Sequence, residues 1–153
     1  MDSDEVISTL NDLIETCKDG EEGFRTCAAD TGNTQLKTFF SNRAQSCAAA
    51  AIELQDLIRV YGGDPETSGG LGGALHRRWI DIKSAITGRD DEAILKECER
   101  GEDVAVESYR RALEKNLPLD VRRIVERHYQ GVLQNHDQVK SLRSVRAHVV
   151  VAA

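Results

Sequence analysis

A chain of 153 residues is long enough to bury one core and too short for two comfortable domains. Aromatics make up 5% and prolines number 2, while Ala, Leu, Glu, Arg and Lys fill the long segments, a balance that favours helices packed through small and aliphatic side chains and needs no strand. The formal net charge of -6 excludes nucleic acid and anionic membrane as main partners, because both repel the chain at long range.

The opening MDSDEVISTL has neither a basic nor an apolar region, so no secretory signal is expected and the chain reads as cytoplasmic. No apolar run approaches the roughly 20 residues of a membrane span. The first helix is predicted over 4–30, where Val6, Leu10, Leu13, Cys17, Gly20, Phe24 and Cys27 alternate in steps of four and three. Ser3 and Asp4 are its candidate caps, and Asp30-Thr31-Gly32-Asn33 is its end. The second helix, over 34–61, carries Leu36, Phe40, Arg43, Cys47, Ala50, Leu54, Leu57 and Tyr61 inward and stops at Gly62-Gly63-Asp64-Pro65. A short turn joins the two, which makes them antiparallel neighbours.

A glycine-rich stretch over 62–73 reads as a loop, followed by a shorter helix over 74–87 with Leu75, Trp79, Ile82 and Ile86 on one face. His76 and Trp79 are candidates for a small pocket or partner site, and Trp79 also suits an anchor fixing this helix to the rest. The third long helix, over 91–116, has the seam Leu95, Cys98, Glu102, Ala105, Tyr109 and Ala112. The fourth, over 118–146, is opened by Pro118 at the first helical position and carries Val121, Val125, His128, Val132, His136, Val139 and Leu142. The single domain covers 1–148, and 149–153 is expected to fray.

Connection length decides the topology. A helix of about 26 residues is roughly 39 Å long, and the segment between the second and third long helices is ample for a crossover of that length. Such a crossover makes those two helices parallel, whereas an up-down-up-down bundle needs only a few residues there.

Glu102 is the misplaced residue of an otherwise apolar seam. A buried carboxylate without a partner costs several kcal/mol or takes up a proton, so Glu102 demands a metal, an arginine, a histidine or a proton. Arg43 lies on the inward seam of the second helix at a matching height, which predicts a polar core cluster of Arg43, Glu102, His136 and Tyr109. The alternative has Arg43 snorkelling to solvent.

A metal has a second route. Counting from the turns places Cys17 level with Cys47 and Cys98 level with His136, so these side chains with Glu99 and Glu102 are candidate ligands for zinc or copper(I). The four cysteines show no CxxC pair and fall on core-facing positions, which suits buried thiols in a reducing compartment. His128 reads as a hydrogen-bonded core histidine. GGDPETSGGLGG lacks the preceding strand and the lysine of a phosphate cradle, and no nucleophile constellation is visible.

Glu102 with Tyr109 seven residues on, echoed by Cys17 and Phe24 in the first helix, resembles the ferritin and rubrerythrin di-iron superfamily. More closely, LNDLIETCKDGEEGF, the GGDP loop, LHRRWIDIK, ECERGEDVAVESYRRAL and NHDQVKSL are similar to a bacterial family of small ferritin-like four-helix-bundle proteins of unknown function. The resemblance spans nearly the whole chain and implies an all-α ferritin-like four-helix bundle with an extra short helix in the crossover. Carried over residue by residue, the di-iron ligand pattern falls on Cys17, Arg43, Ser46, Glu102, Leu133 and His136. An arginine and a leucine at ligand positions argue against oxygen activation and iron storage.

The expected function is therefore a non-catalytic bundle with a degenerate metal centre and no favoured cofactor, stress-associated by analogy with the superfamily. The alternative is an iron-, manganese- or zinc-binding protein or oxidoreductase using Glu102 and His136. A homo-oligomer is the candidate assembly.

Overall fold

The computed structural model describes residues 1–65 and 90–152, with side chains described as far as residue 145. Four helices occupy these residues, α1 (Ser3–Asp30), α2 (Thr34–Val60), α3 (Asp91–Glu114) and α4 (Leu119–Ala152), and no strand occurs among them. The helix expected over 74–87, with His76 and Trp79, lies outside the described residues.

Local chemistry sets the helix ends. Asp2, one residue before the expected caps, starts α1: its carboxylate accepts from the Glu5 amide while the Asp2 amide donates to the Glu5 side chain. Asn33 caps α2 through the Leu36 amide, and Asp90 caps α3 through the Glu92 amide. Gly62, at φ 83, leaves α2 in the left-handed conformation that favours glycine. Pro118 stands one residue before α4 instead of inside it, and its carbonyl accepts from the Arg122 amide. The last helix continues to Ala152, past both the expected end at 146 and the start of the expected tail.

Hydrogen bonds between helices fix their directions. Thr31 at the end of α1 donates to Asp91 at the start of α3, and Lys115 just beyond the end of α3 donates to Thr9 near the start of α1, so these two helices run antiparallel. Tyr61, just past α2, donates to Asp120 at the start of α4. Residue 61 and residue 91 thus sit at opposite ends of the bundle. α2 and α3 are parallel, as the crossover topology requires.

Two apolar clusters fill the interior. Toward the α3–α4 turn, Leu10, Leu13, Ile14, Leu54, Ile58, Val121 and Val125 pack together. Toward the α1–α2 turn, Phe24, Phe40, Ile94, Leu95, Cys98 and Val139 do so, with the Phe24 and Phe40 rings stacked at 6.3 Å. Polar side chains form a layer between them. No helix among the described residues is long and apolar enough to cross a membrane.

Candidate functional site

The polar layer is centred on Glu102, which the α3 seam turns inward and leaves only 2% exposed. Arg43 is turned inward by the α2 seam and is also buried. Its Nη2 donates to Glu102 Oε1 at 3.2 Å, with Nε at 3.4 Å from the same oxygen. Phe24 takes the guanidinium on its ring face, 5.3 Å from the centroid, so the cation has a second favourable neighbour on α1. Burial raises the Glu102 pKa above the usual glutamate value; Arg43 and, through space, His136 pull it down, and Asp103 opposes them.

A second polar chain crosses the same layer and links all four helices. Cys17 Sγ on α1 lies 3.3 Å from the Tyr109 hydroxyl on α3, which lies 3.2 Å from His128 Nδ1 on α4. His128 Nε2 in turn lies 2.9 Å from Glu53 Oε1 on α2, and Arg127 donates to the other Glu53 oxygen. Burial works to raise the Glu53 pKa, yet the bonds from His128 and Arg127 hold the carboxyl below its usual value. Burial, with Cys17 beside it, holds the Tyr109 hydroxyl well above the usual tyrosine value. Burial also pushes the Cys17 thiol up to about 11 and the Cys47 thiol up to about 12, despite the nearby Arg43. Both therefore stay protonated at neutral pH, which does not suit a nucleophile.

A cavity of about 240 Å³ lies against both chains. Gly20, Gly101 and Gly131 leave its walls without side chains on three helices, and Ala50 and Ala105 add only methyl groups. The glycines differ in kind. A Cβ on Gly20 would meet Cys47 Sγ at 3.1 Å, so close helix approach accounts for that residue, whereas a Cβ on Gly131 would meet nothing within 4 Å. Glycine in a helix interior costs about 1 kcal/mol relative to alanine, and at Gly131 neither crowding nor a positive φ calls for it.

Of the residues singled out in the sequence, Arg43 and Glu102 meet, and Tyr109 lines the same cavity without bonding either of them. His136 bonds Asp103 at the α3–α4 surface and does not hydrogen-bond Glu102. Glu99 is engaged by Arg143. Cys17 and Cys47 both line the cavity, while Cys98 lies 3.2 Å from Cys27, sulfur to sulfur, in the apolar cluster beyond it. Glu53 and Arg127 were not anticipated. Glu53 precedes the seam residue Leu54 and reads in sequence as a solvated flank, and only the approach of His128 from α4 gives it a role.

The di-iron pattern does not fit these residues. It needs several carboxylates around its cations, and here the place beside Glu102 is taken by a guanidinium. Among the described residues no three His, Cys, Asp or Glu side chains gather as a metal site would require.

Comparison with known proteins agrees with the fold. The family model described as Domain of unknown function (DUF2383) matches residues 5–115. A solved structure of a point mutant of Dps1 from Mycobacterium smegmatis superposes with a TM-score of 0.77 at 13% identity, over 92% of this chain and 96% of that one. At that identity the likeness speaks for the ferritin-like four-helix-bundle fold alone. No curated protein matches the sequence.

Proposed function

We propose that this chain, which belongs to the family described as Domain of unknown function (DUF2383), is a non-catalytic ferritin-like bundle in which an internal ion pair stands where relatives of the fold would place a metal centre. The observation that carries this reading is the buried contact between Arg43 Nη2 and Glu102 Oε1 at 3.2 Å. The arginine supplies beside Glu102 the positive charge that a metal would otherwise supply, and it brings neither a redox couple nor an open coordination position. Among the described residues no three His, Cys, Asp or Glu side chains gather to offer a substitute ligand set. A stress-associated role accompanies this reading by fold analogy only; survival of a deletion strain under peroxide, against its parent, checks it.

The test of the central reading is elemental analysis of protein purified without chelator, together with an iron(II) oxidation assay. The expected result is far less than one iron, manganese or zinc per chain and no oxidation above the buffer rate. Near-stoichiometric metal that is lost on Glu102→Ala overturns the reading.

A further inference from the structure

The cavity beside the ion pair has features of a kept space. Its α1 wall, formed by Cys17, Gly20 and Phe24, is buried, while Ala50 on α2 and Gly131 and Asn135 on α4 are half-buried. Gly101, Val104 and Ala105 on α3 are half-buried as well, so the cavity is closed on the α1 side and more open toward the other helices, of which α2 and α4 approach each other least closely. Gly131 lines the cavity with nothing within 4 Å of an added Cβ.

Most of the lining surface is apolar, and Asp19, Arg43, Glu102, Tyr109, Arg127 and His128 bring polar groups to it, a make-up compatible with a small-molecule site. Arg43 uses Nε and Nη2 on a single oxygen of Glu102. Nη1 of Arg43 and Oε2 of Glu102 are thereby left without a hydrogen-bond partner among the described residues, and neither is sealed off from a water-sized neighbour. Both residues line the cavity, so a donor and an acceptor remain open to bond whatever occupies it, water or a ligand.

We propose that the cavity binds a small, neutral, largely apolar molecule carrying a hydrogen-bond acceptor beside a donor, of which a carboxamide is the simplest case. The acceptor takes the Arg43 Nη1 proton and the donor faces Glu102 Oε2. Net charge on the ligand is disfavoured, because an anion lies against Glu102 and a cation against Arg43. Size follows from volume: a cavity of about 150 Å³ holds benzene, so one of about 240 Å³ takes roughly nine or ten heavy atoms. The inference rests on the metal-free reading of the site, since a metal at Glu102 would displace the pair that reads the ligand.

Calorimetric titration and ligand-observed NMR on the full chain, with benzamide, benzoate, benzamidine and toluene as matched probes, test it. Benzamide is expected to bind at least tenfold tighter than each of the other three. Gly131→Leu, whose Cβ meets nothing within 4 Å and whose longer side chain is expected to fill the space, abolishes that binding. Arg43→Met with Glu102→Leu keeps the cavity but reverses the preference in favour of toluene, and this variant serves if Gly131→Leu fails to fold. Binding of none of the probes overturns the proposal and leaves water as the occupant. Equal binding of toluene and benzamide overturns it as well, as does tighter binding of either charged probe. Metal-loaded protein by elemental analysis would instead remove the premise, so the two failures are told apart.

Discussion

Where α1 meets α3 the seam closes largely through short side chains: Cys27 lies 3.2 Å from Cys98, and the Thr16 and Ser108 hydroxyls lie 3.2 Å apart. Where α2 faces α4, small residues also line the gap, yet long side chains span it, with Glu53 reaching Arg127 and His128. Both seams are rich in small residues. The difference is that in the first they oppose one another and let the helices touch, and in the second Ala50 and Gly131 leave a space that the two helices do not collapse to fill. Small size produces tight packing only where it is matched across the interface.

The ion pair stands between the two seams, and breaking it should have the largest effect. Arg43→Leu leaves Glu102 buried without its cation and is expected to cost about 3–5 kcal/mol in urea unfolding. Arg43→Met with Glu102→Leu removes both charges, and its stability should equal or exceed that of the parent by up to about 4 kcal/mol. An unchanged melting curve for Arg43→Leu would show that the pair does not hold the middle of the bundle together.

A pH series sharpens the same point. Burial raises the Glu102 pKa above its usual value near 4.5. The folded state therefore holds this proton more tightly than the unfolded state. Below about 4.5 both states are protonated and the residue contributes no pH dependence. As pH rises from there through the raised folded value, the unfolded chain releases the proton first, and stability falls. Measured against Glu102→Gln, the wild-type protein should lose relative stability across that window, and a flat difference would contradict the assignment.

The glycines contrast the walls directly. Gly131→Ala is expected to stabilise by about 1 kcal/mol through helix propensity, because its Cβ enters open space. Gly20→Ala brings its Cβ to 3.1 Å from Cys47 Sγ and should recover less than that, or lose stability. Equal gains in thermal denaturation would erase the distinction between a kept space and a close contact. The smallest effect belongs to the bridge over the α2–α4 gap: Glu53→Gln should cost less than about 1 kcal/mol, and less again at high salt, because both Glu53 and Arg127 are substantially exposed.

Much of this architecture is legible in the order of residues. The three-four spacing locates each inward face, the length of the second connection selects the parallel arrangement of α2 and α3, and a carboxylate on the α3 seam announces a buried cation, for which Arg43 is the candidate at the right height. Other features escape such reasoning for definite reasons. Periodicity assigns His136 to a face but not to a rotation about the helix, and a modest turn is enough to aim it at Asp103 instead of Glu102. Levels counted from turns set Cys98 beside His136, whereas the antiparallel approach of α1 brings Cys27 to it. The cavity is a property of four helices at once: Gly20, Gly101 and Gly131 are each ordinary, and only their convergence makes a volume.

The two charges also act as a ruler. Each hairpin, α1 with α2 and α3 with α4, is closed by a short connection, but Arg43 and Glu102 are 59 residues apart and meet only when one hairpin docks on the other. Aliphatic surfaces tolerate sliding, since leucine against isoleucine one turn along is nearly as favourable. A slip of one helical turn, about 5.4 Å, would part the guanidinium from its carboxylate and strand both away from water. A single well-placed pair can therefore discriminate the native alignment of the hairpins from its one-turn neighbours, the sort of discrimination that a wholly greasy interior would lack.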